Sequence, residues 1–251
     1  MKNIVLIGSG NMATNLGLEL VNHGYIINQV WSKNLNNAEI LAKKLNSKST
    51  DRLSCISKAD LYIVAVKDDA LKSILEQLNL TNIIHTSAST GLDIFNSKLK
   101  NYGVFYPLQT FNKKINLNFS NIPIFIEADN DAFCKILIKL ANKLSNTVIK
   151  MNSEQRKTLH IAAVFACNFT NHMLSIADNI LSTSNIDFKL LHPLINQSIK
   201  KISNNKPTNV QTGPAKRKDK KIIESHIQNI PDKKIKKLYQ LISTSIIENN
   251  V

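Results

Sequence analysis

The chain has 251 residues, 43% of them hydrophobic and 20% charged, the composition of an ordinary soluble globular protein with room for two domains. Its net charge is +14, yet its only arginines are Arg52, Arg156 and Arg217; phosphate readers favour the bidentate guanidinium, so a nucleic-acid partner is set aside and a small anionic ligand is kept. Cys55, Cys134 and Cys167 form no metal or redox motif, no apolar run reaches spanning length, and a strand begins at Lys2, so a cytoplasmic protein without a leader, membrane partner or metal is expected.

The run Lys2–Ile7 is short, apolar and β-branched, the pattern of a buried parallel strand. It breaks into Gly8-Ser9-Gly10-Asn11-Met12-Ala13 and then into a helix with Met12, Leu16, Leu20 and Val21 on one face. Strand, glycine turn and helix in this order form a dinucleotide-binding signal. Gly8 permits the turn, and Gly10 lets backbone N–H groups approach a pyrophosphate at a helix N-terminus. Gly8, Ser9, Gly10, Asn11 and Met12 are therefore candidate cofactor contacts.

A second strand, Tyr25–Trp31, ends in Ser32-Lys33-Asn34. An acidic residue at this point would hold a ribose 2′-hydroxyl. A hydroxyl, a cation and an amide instead suit a 2′-phosphate, which favours NADP over NAD. The competing reading has Ser32 and Asn34 cap the helix Leu35–Leu45. Arg52–Ile56 is expected as a third strand and Asp60–Val66 as a fourth, with Val66 and Lys67 at its carboxyl end as further cofactor contacts. Asp68 and Asp69 serve equally as charges at the start of the next helix.

Asn82–Ser89 reads as a fifth strand running into a hydroxyl-rich turn, and Gly103–Phe111 as a sixth. His85 and Ser87 in the first, Tyr106 and Gln109 in the second, are candidate substrate contacts. His85 could equally satisfy backbone groups, and the run around Pro107 could be a structural corner. A strand at Pro123–Ala128, a helix at Asp131–Leu144 and a strand at Thr147–Met151 complete an α/β domain over 1–151 with a largely parallel, doubly wound sheet.

From Ser153 onward the strand signal stops, and an all-α domain over 152–251 is expected. Its helices are placed at Glu154–Leu181, at Phe188–Ile202 with a kink at Pro193, at Pro214–Ile227 and at Asp232–Glu248. The first carries His160, Asn168 and Asn171 among apolar residues, where polar groups need partners. His160 is the candidate acid/base, because its pKa near ~6.5 lies close to working pH. It sits ~12 Å along the axis from Asn168, so the two cannot share one reacting atom. Arg217 is the candidate clamp for an anionic substrate, against the alternative of a solvated basic face.

Five segments together resemble a known family: the glycine turn, His85-Thr86-Ser87-Ala88, Tyr106-Pro107-Leu108-Gln109-Thr110-Phe111, the helix from His160 to Phe169, and Thr212-Gly213-Pro214-Ala215-Lys216-Arg217-Lys218-Asp219. The chain is similar over its whole length to the bacterial family that joins a Rossmann-like NADP-binding domain to a helical C-terminal domain of unknown function. That family belongs with pyrroline-5-carboxylate reductase and the 6-phosphogluconate and 3-hydroxyisobutyrate dehydrogenases. In those dehydrogenases a catalytic Lys precedes an Asn by four residues. Matched onto Asn168, the Lys position is Val164, so that acid does not carry over.

The resemblance implies a homodimer through the C-terminal helices. The expected function is an NADP(H)-dependent oxidoreductase acting on a small anionic carbonyl or imine compound, with hydride transfer between the domains and with His160 and Asn168 catalytic. The substrate contacts would be His85, Ser87, Tyr106, Gln109, Asn171 and Arg217. The alternative is an inactive nucleotide-binding or redox-sensing dimer.

Overall fold

The computed structural model describes residues 1–96, 99–115 and 117–249. It divides into two compact units, Met1–Val164 and Phe165–Val251.

The first unit is an eight-stranded sheet: β1 (Asn3–Ile7), β2 (Ile26–Trp31), β3 (Lys48–Thr50), β4 (Leu61–Val64), β5 (Ile83–His85), β6 (Tyr102–Pro107), β7 (Ile124–Ala128) and β8 (Val148–Lys150). Their order is β3-β2-β1-β4-β5-β6-β7-β8. Every neighbouring pair is parallel except β6–β7. Helices α1 (Asn11–Asn22), α2 (Leu35–Leu45), α3 (Asp68–Leu75) and α4 (Asp131–Leu144) connect them. The expected Rossmann-like sheet is present, with the reversal of strand order at β1–β4.

Alternation along the strands divides the core. Ile4, Leu6, Ile63, Ile84, Phe105 and Ile126 face α1, α2 and α4, burying Leu16, Leu41 and Leu137. Val5, Ile7, Val64 and Ile83 face the other way, onto Leu71, Ile74 and Leu75 of α3. On that second face the helix α5 (Ser153–Ala163) covers the far end of the sheet, its Leu159 packing against Ala88, Val104, Tyr106 and Phe125. Asn152 starts α5 with a capping box, accepting from the Gln155 N–H at 2.9 Å while the Gln155 side chain reaches back.

Five expected elements are corrected. No strand forms at Arg52–Ile56; β3 precedes it, and Leu53–Cys55 is a short 3₁₀ turn. The reason is Gln29 on β2, whose amide takes the backbone groups a ladder would need: Nε2 donates to the Cys55 carbonyl at 3.0 Å, and the Ser57 N–H donates to Oε1 at 2.7 Å. The sixth strand stops at Pro107, and Gln109 and Thr110 lie exposed beyond it.

In the second unit the long helix is interrupted by a π-helical turn, Val164–Phe169, before α6 (Thr170–Ser182). Pro193 occupies the first turn of α7 (His192–Asn204), where no N–H is required, and does not kink it. Pro214 does not start a helix. Gly213 at φ 108° and Lys218 at φ 56° are incompatible with one, and α8 (Lys220–Asn229) begins after the Asp219 cap. α9 (Lys233–Glu248) follows its own cap, Asp232, as expected.

Among the described residues, no helix is long and apolar enough to cross a membrane.

Candidate active site

The carboxyl ends of β1, β2 and β4 open onto a groove of about 1150 Å³. Gly8, Ser9, Gly10, Asn11, Met12, Ser32, Lys33, Val66 and Lys67 all line it, so one concavity collects nine of the ten cofactor candidates. Asn34, the tenth, does not line it. Its side chain accepts the Asn37 N–H at 3.2 Å and caps α2.

The two glycines differ in purpose. Gly8 has φ 132°, and a Cβ there would lie 2.1 Å from the Ala65 carbonyl oxygen, so β1 and the end of β4 could not approach. A Cβ on Gly10 would meet nothing within 4 Å. Gly10 is therefore not dictated by packing. It leaves space on the groove side of the α1 N-terminus, as a dinucleotide pyrophosphate requires.

At the far end of the groove, Ser9 Oγ donates to Ser32 Oγ at 2.9 Å. This arrangement leaves the Ser32 proton free to donate, beside the exposed Lys33 ammonium. Asp51, Leu53 and Ser54 complete that end. Leu53 and Ser54 escaped the sequence reading because it assigned 52–56 to a strand, and Asp51 because no motif marks it.

A second group of polar residues lies under α5. Cross-strand pairing sets His85 beside Val104 and Val104 beside Glu127, so all three rise on one face, and Tyr106 emerges there two residues further along β6. Arg156 and His160, four residues apart, share the facing side of α5. Arg156 is only 1% exposed; it pairs with Glu127 and donates to the Thr90 carbonyl at 2.5 Å. Glu127 in turn accepts from the Ser153 N–H at 2.9 Å and the Ser153 hydroxyl at 2.7 Å. Nothing in the sequence marks Arg156 except the scarcity of arginine. The sheet register that brings Glu127 to it is a tertiary fact.

His160 is half-buried, and its Nδ1 lies 3.4 Å from the Tyr106 hydroxyl, with the rings edge to face. Burial pushes the Tyr106 phenol up, and the Arg156 guanidinium opposes this in part, so the phenol keeps its proton. These two candidates are brought together.

His85 is not available to a substrate. It is 0% exposed and stacks on Phe95, and its Nδ1 accepts the Ser87 N–H at 3.2 Å. Of its two readings, the backbone-satisfying one holds. Ser87 is likewise absorbed by its turn, donating to Thr90 Oγ1 at 3.0 Å and accepting the Thr90 N–H at 3.1 Å. Gln109 is exposed and accepts from the Thr110 N–H at 2.8 Å. In the second unit, Asn168 is exposed in the π-helical turn, Asn171 is exposed on α6, and Arg217 is exposed in the Gly213–Lys218 turn.

Burial, and secondarily the charge of Arg156, hold the His85 imidazole down to about 4, against 6.5 for a free side chain. Because the folded value lies below the unfolded one, its contribution to stability is complete above ~6.5 and drains away as pH falls toward about 4. Urea midpoints measured across that window should lose up to about 3 kcal/mol. His85→Gln should flatten the dependence; an unchanged slope would remove His85 as its source.

Residues 3–88 match the model of the NADP oxidoreductase coenzyme F420-dependent family, and residues 122–246 match a domain of unknown function (DUF2520). A solved structure from Bacteroides fragilis, provisionally named an NADP oxidoreductase, is 40% identical, covers 98% of each chain and superposes with a TM-score of 0.91. The chain belongs to this NADP oxidoreductase family.

More distant structures share the fold. An imine reductase from Myxococcus stipitatus in complex with NADP⁺ is 15% identical over 98% of this chain and 92% of its own, with a TM-score of 0.64. A pyrroline-5-carboxylate reductase from Coxiella burnetii is 13% identical over 99% and 97%, with a TM-score of 0.59. No curated protein matches the chain. Val164 is the first residue of the π-helical turn.

Proposed function

We propose that this family member is an NADP(H)-dependent oxidoreductase whose substrate is a small, anionic carbonyl or imine compound. The observation that carries the reading is the groove over Gly10, with the Ser32 hydroxyl and Lys33 at its far end. Gly8, Ser9, Gly10 and the first turn of α1 would hold the pyrophosphate. Ser32 and Lys33 would hold the 2′-phosphate, and Val66 and Lys67 would flank the path along β4. NADPH, when bound, supplies the hydride. The carbonyl or imine class is supported by the named activities of the structural relatives, and an anionic substrate by the net charge of +14. His160, hydrogen-bonded to Tyr106, is the group we assign to proton transfer.

NADP(H) should bind roughly one to two decades more tightly than NAD(H), the worth of a charge-assisted contact to the extra phosphate. Calorimetric titration of wild type, Lys33→Ala and Gly10→Val tests this. Lys33→Ala should erase the preference, and Gly10→Val should abolish binding of both nucleotides by filling the pyrophosphate space. Equal affinity for NAD(H) in wild type would refute the assignment of Ser32 and Lys33.

The second reading, a nucleotide-binding dimer without catalysis, draws on Val164 at the lysine position. NADPH oxidation with any small carbonyl or imine compound separates the two.

We also propose that the chain is a homodimer through its C-terminal helices. In the second unit Ala215, at 7% exposed, is the one buried hydrophobic residue among those described, while Phe165, Leu190, Leu194 and Leu241 are each at least 65% exposed. Four amphipathic helices with so little core of their own leave an apolar surface larger than monomers retain. Light scattering at micromolar concentration should give twice the mass of 28.1 kDa. A monomer mass would refute the dimer.

A further inference from the structure

Tyr106 stands at the carboxyl end of β6, the edge beyond which ligands lie in open α/β sheets. Its ring is held on one side by Phe125, centroids 6.2 Å apart, and on the other by the edge of His160 at 6.4 Å. The side chain is 7% exposed. Its hydroxyl lies within hydrogen-bonding distance of His160 Nδ1. His160 is the more exposed of the two and sits one helical turn from Arg156, whose bonds to Glu127 and Thr90 fix α5 on the sheet. The imidazole is thus oriented toward the phenol by a buried ion pair. It is not a free histidine on a surface.

We propose that Tyr106 and His160 act as one unit, with Tyr106 delivering the proton to the substrate and His160 restoring it. The proposal rests on the reductase reading above. As the reduction proceeds, the Tyr106 Oη–H bond breaks and an O–H or N–H bond forms on the substrate. The phenolate then takes the Nδ1 proton of His160 as solvent protonates Nε2, so the ring stays neutral. The hydride, which carries both electrons, would come from the reduced nicotinamide, so the pair moves protons only. Burial of the phenol keeps it a donor until a substrate accepts its proton.

The test combines kinetics with a spectroscopic measurement that needs no turnover. With NADPH and a panel of small cyclic imines and oxo acids, including pyrroline and pyruvate, Tyr106→Phe should lower kcat by ~10²-fold or more with KM for NADPH unchanged. The double variant Tyr106→Phe/His160→Ala should be no worse than the more impaired single variant, because members of one unit are not additive. Added imidazole should restore part of the activity of His160→Ala, which a purely structural histidine would not allow. Losses that multiply in the double variant would overturn the unit.

Independently, the ¹⁵N resonance of His160 Nδ1 should shift in Tyr106→Phe, with and without NADP⁺, because the hydroxyl 3.4 Å from that nitrogen is lost. An unmoved resonance overturns the pairing even if the enzyme is active. A moved resonance with no turnover on the whole panel fails the reductase reading instead, and the proton-delivery role with it.

Discussion

His160→Ala should lower NADPH-dependent turnover by ~10²–10⁴-fold, the usual contribution of a positioned acid or base. NADP(H) affinity should stay within about twofold, since His160 is not among the residues lining the nucleotide groove. The expectation follows from where α5 is held. Arg156 and the capping box fix its first turns, and His160 comes down beside the Tyr106 hydroxyl at 3.4 Å. His160 is half-buried and makes no ion pair among the described residues, so its removal leaves the core intact. Steady-state rates and calorimetry on the same preparation decide the matter. Full activity in the variant would show that Tyr106 regains its proton without His160.

Arg156→Ala should cost about 3–5 kcal/mol of unfolding free energy, the loss seen when one partner of a buried ion pair is removed. The guanidinium is 1% exposed and Glu127 is 16% exposed, so neither is fully screened by water. Truncation would leave the Glu127 carboxylate without its cation and the Thr90 carbonyl without its donor, and it would open a cavity under α5. Arg52, exposed in the turn after β3, supplies the control: Arg52→Ala should change stability by less than about 0.5 kcal/mol. Urea unfolding of the three proteins measures the difference. A loss below about 1 kcal/mol for Arg156→Ala would mean the pair contributes little to holding α5.

The extent to which the site was legible follows from the range of the interactions involved. The glycine turn could be read because it is local: strand, Gly8, Gly10 and helix lie within one stretch, and each glycine has a backbone reason that does not depend on distant residues. Ser32 and Lys33 could be placed beside the groove because the end of β2 borders the reversal of strand order. The parallel sheet, the helical second half and the family resemblance follow from periodicity and short motifs alone. Local segments therefore located the groove, while Asn34 is taken by a cap that is equally local.

What lay beyond the sequence depends on register. His85 appeared available because its neighbours are polar, but pairing with Val64 and Val104 carries it into a fully buried row. The short run at 52–56 seemed a strand because its composition allows one, and the amide of Gln29, 26 residues before Cys55, decides otherwise. Arg156 stands out in the sequence only as one of three arginines. Only the antiparallel pairing of β6 with β7 lifts Glu127 onto the same face and turns that arginine into the anchor of α5. Periodicity specifies which side of an element is apolar, because burial follows the repeat of the backbone. Which polar groups meet across two elements is set by the packing of separate segments, and no local rule of sequence contains that information.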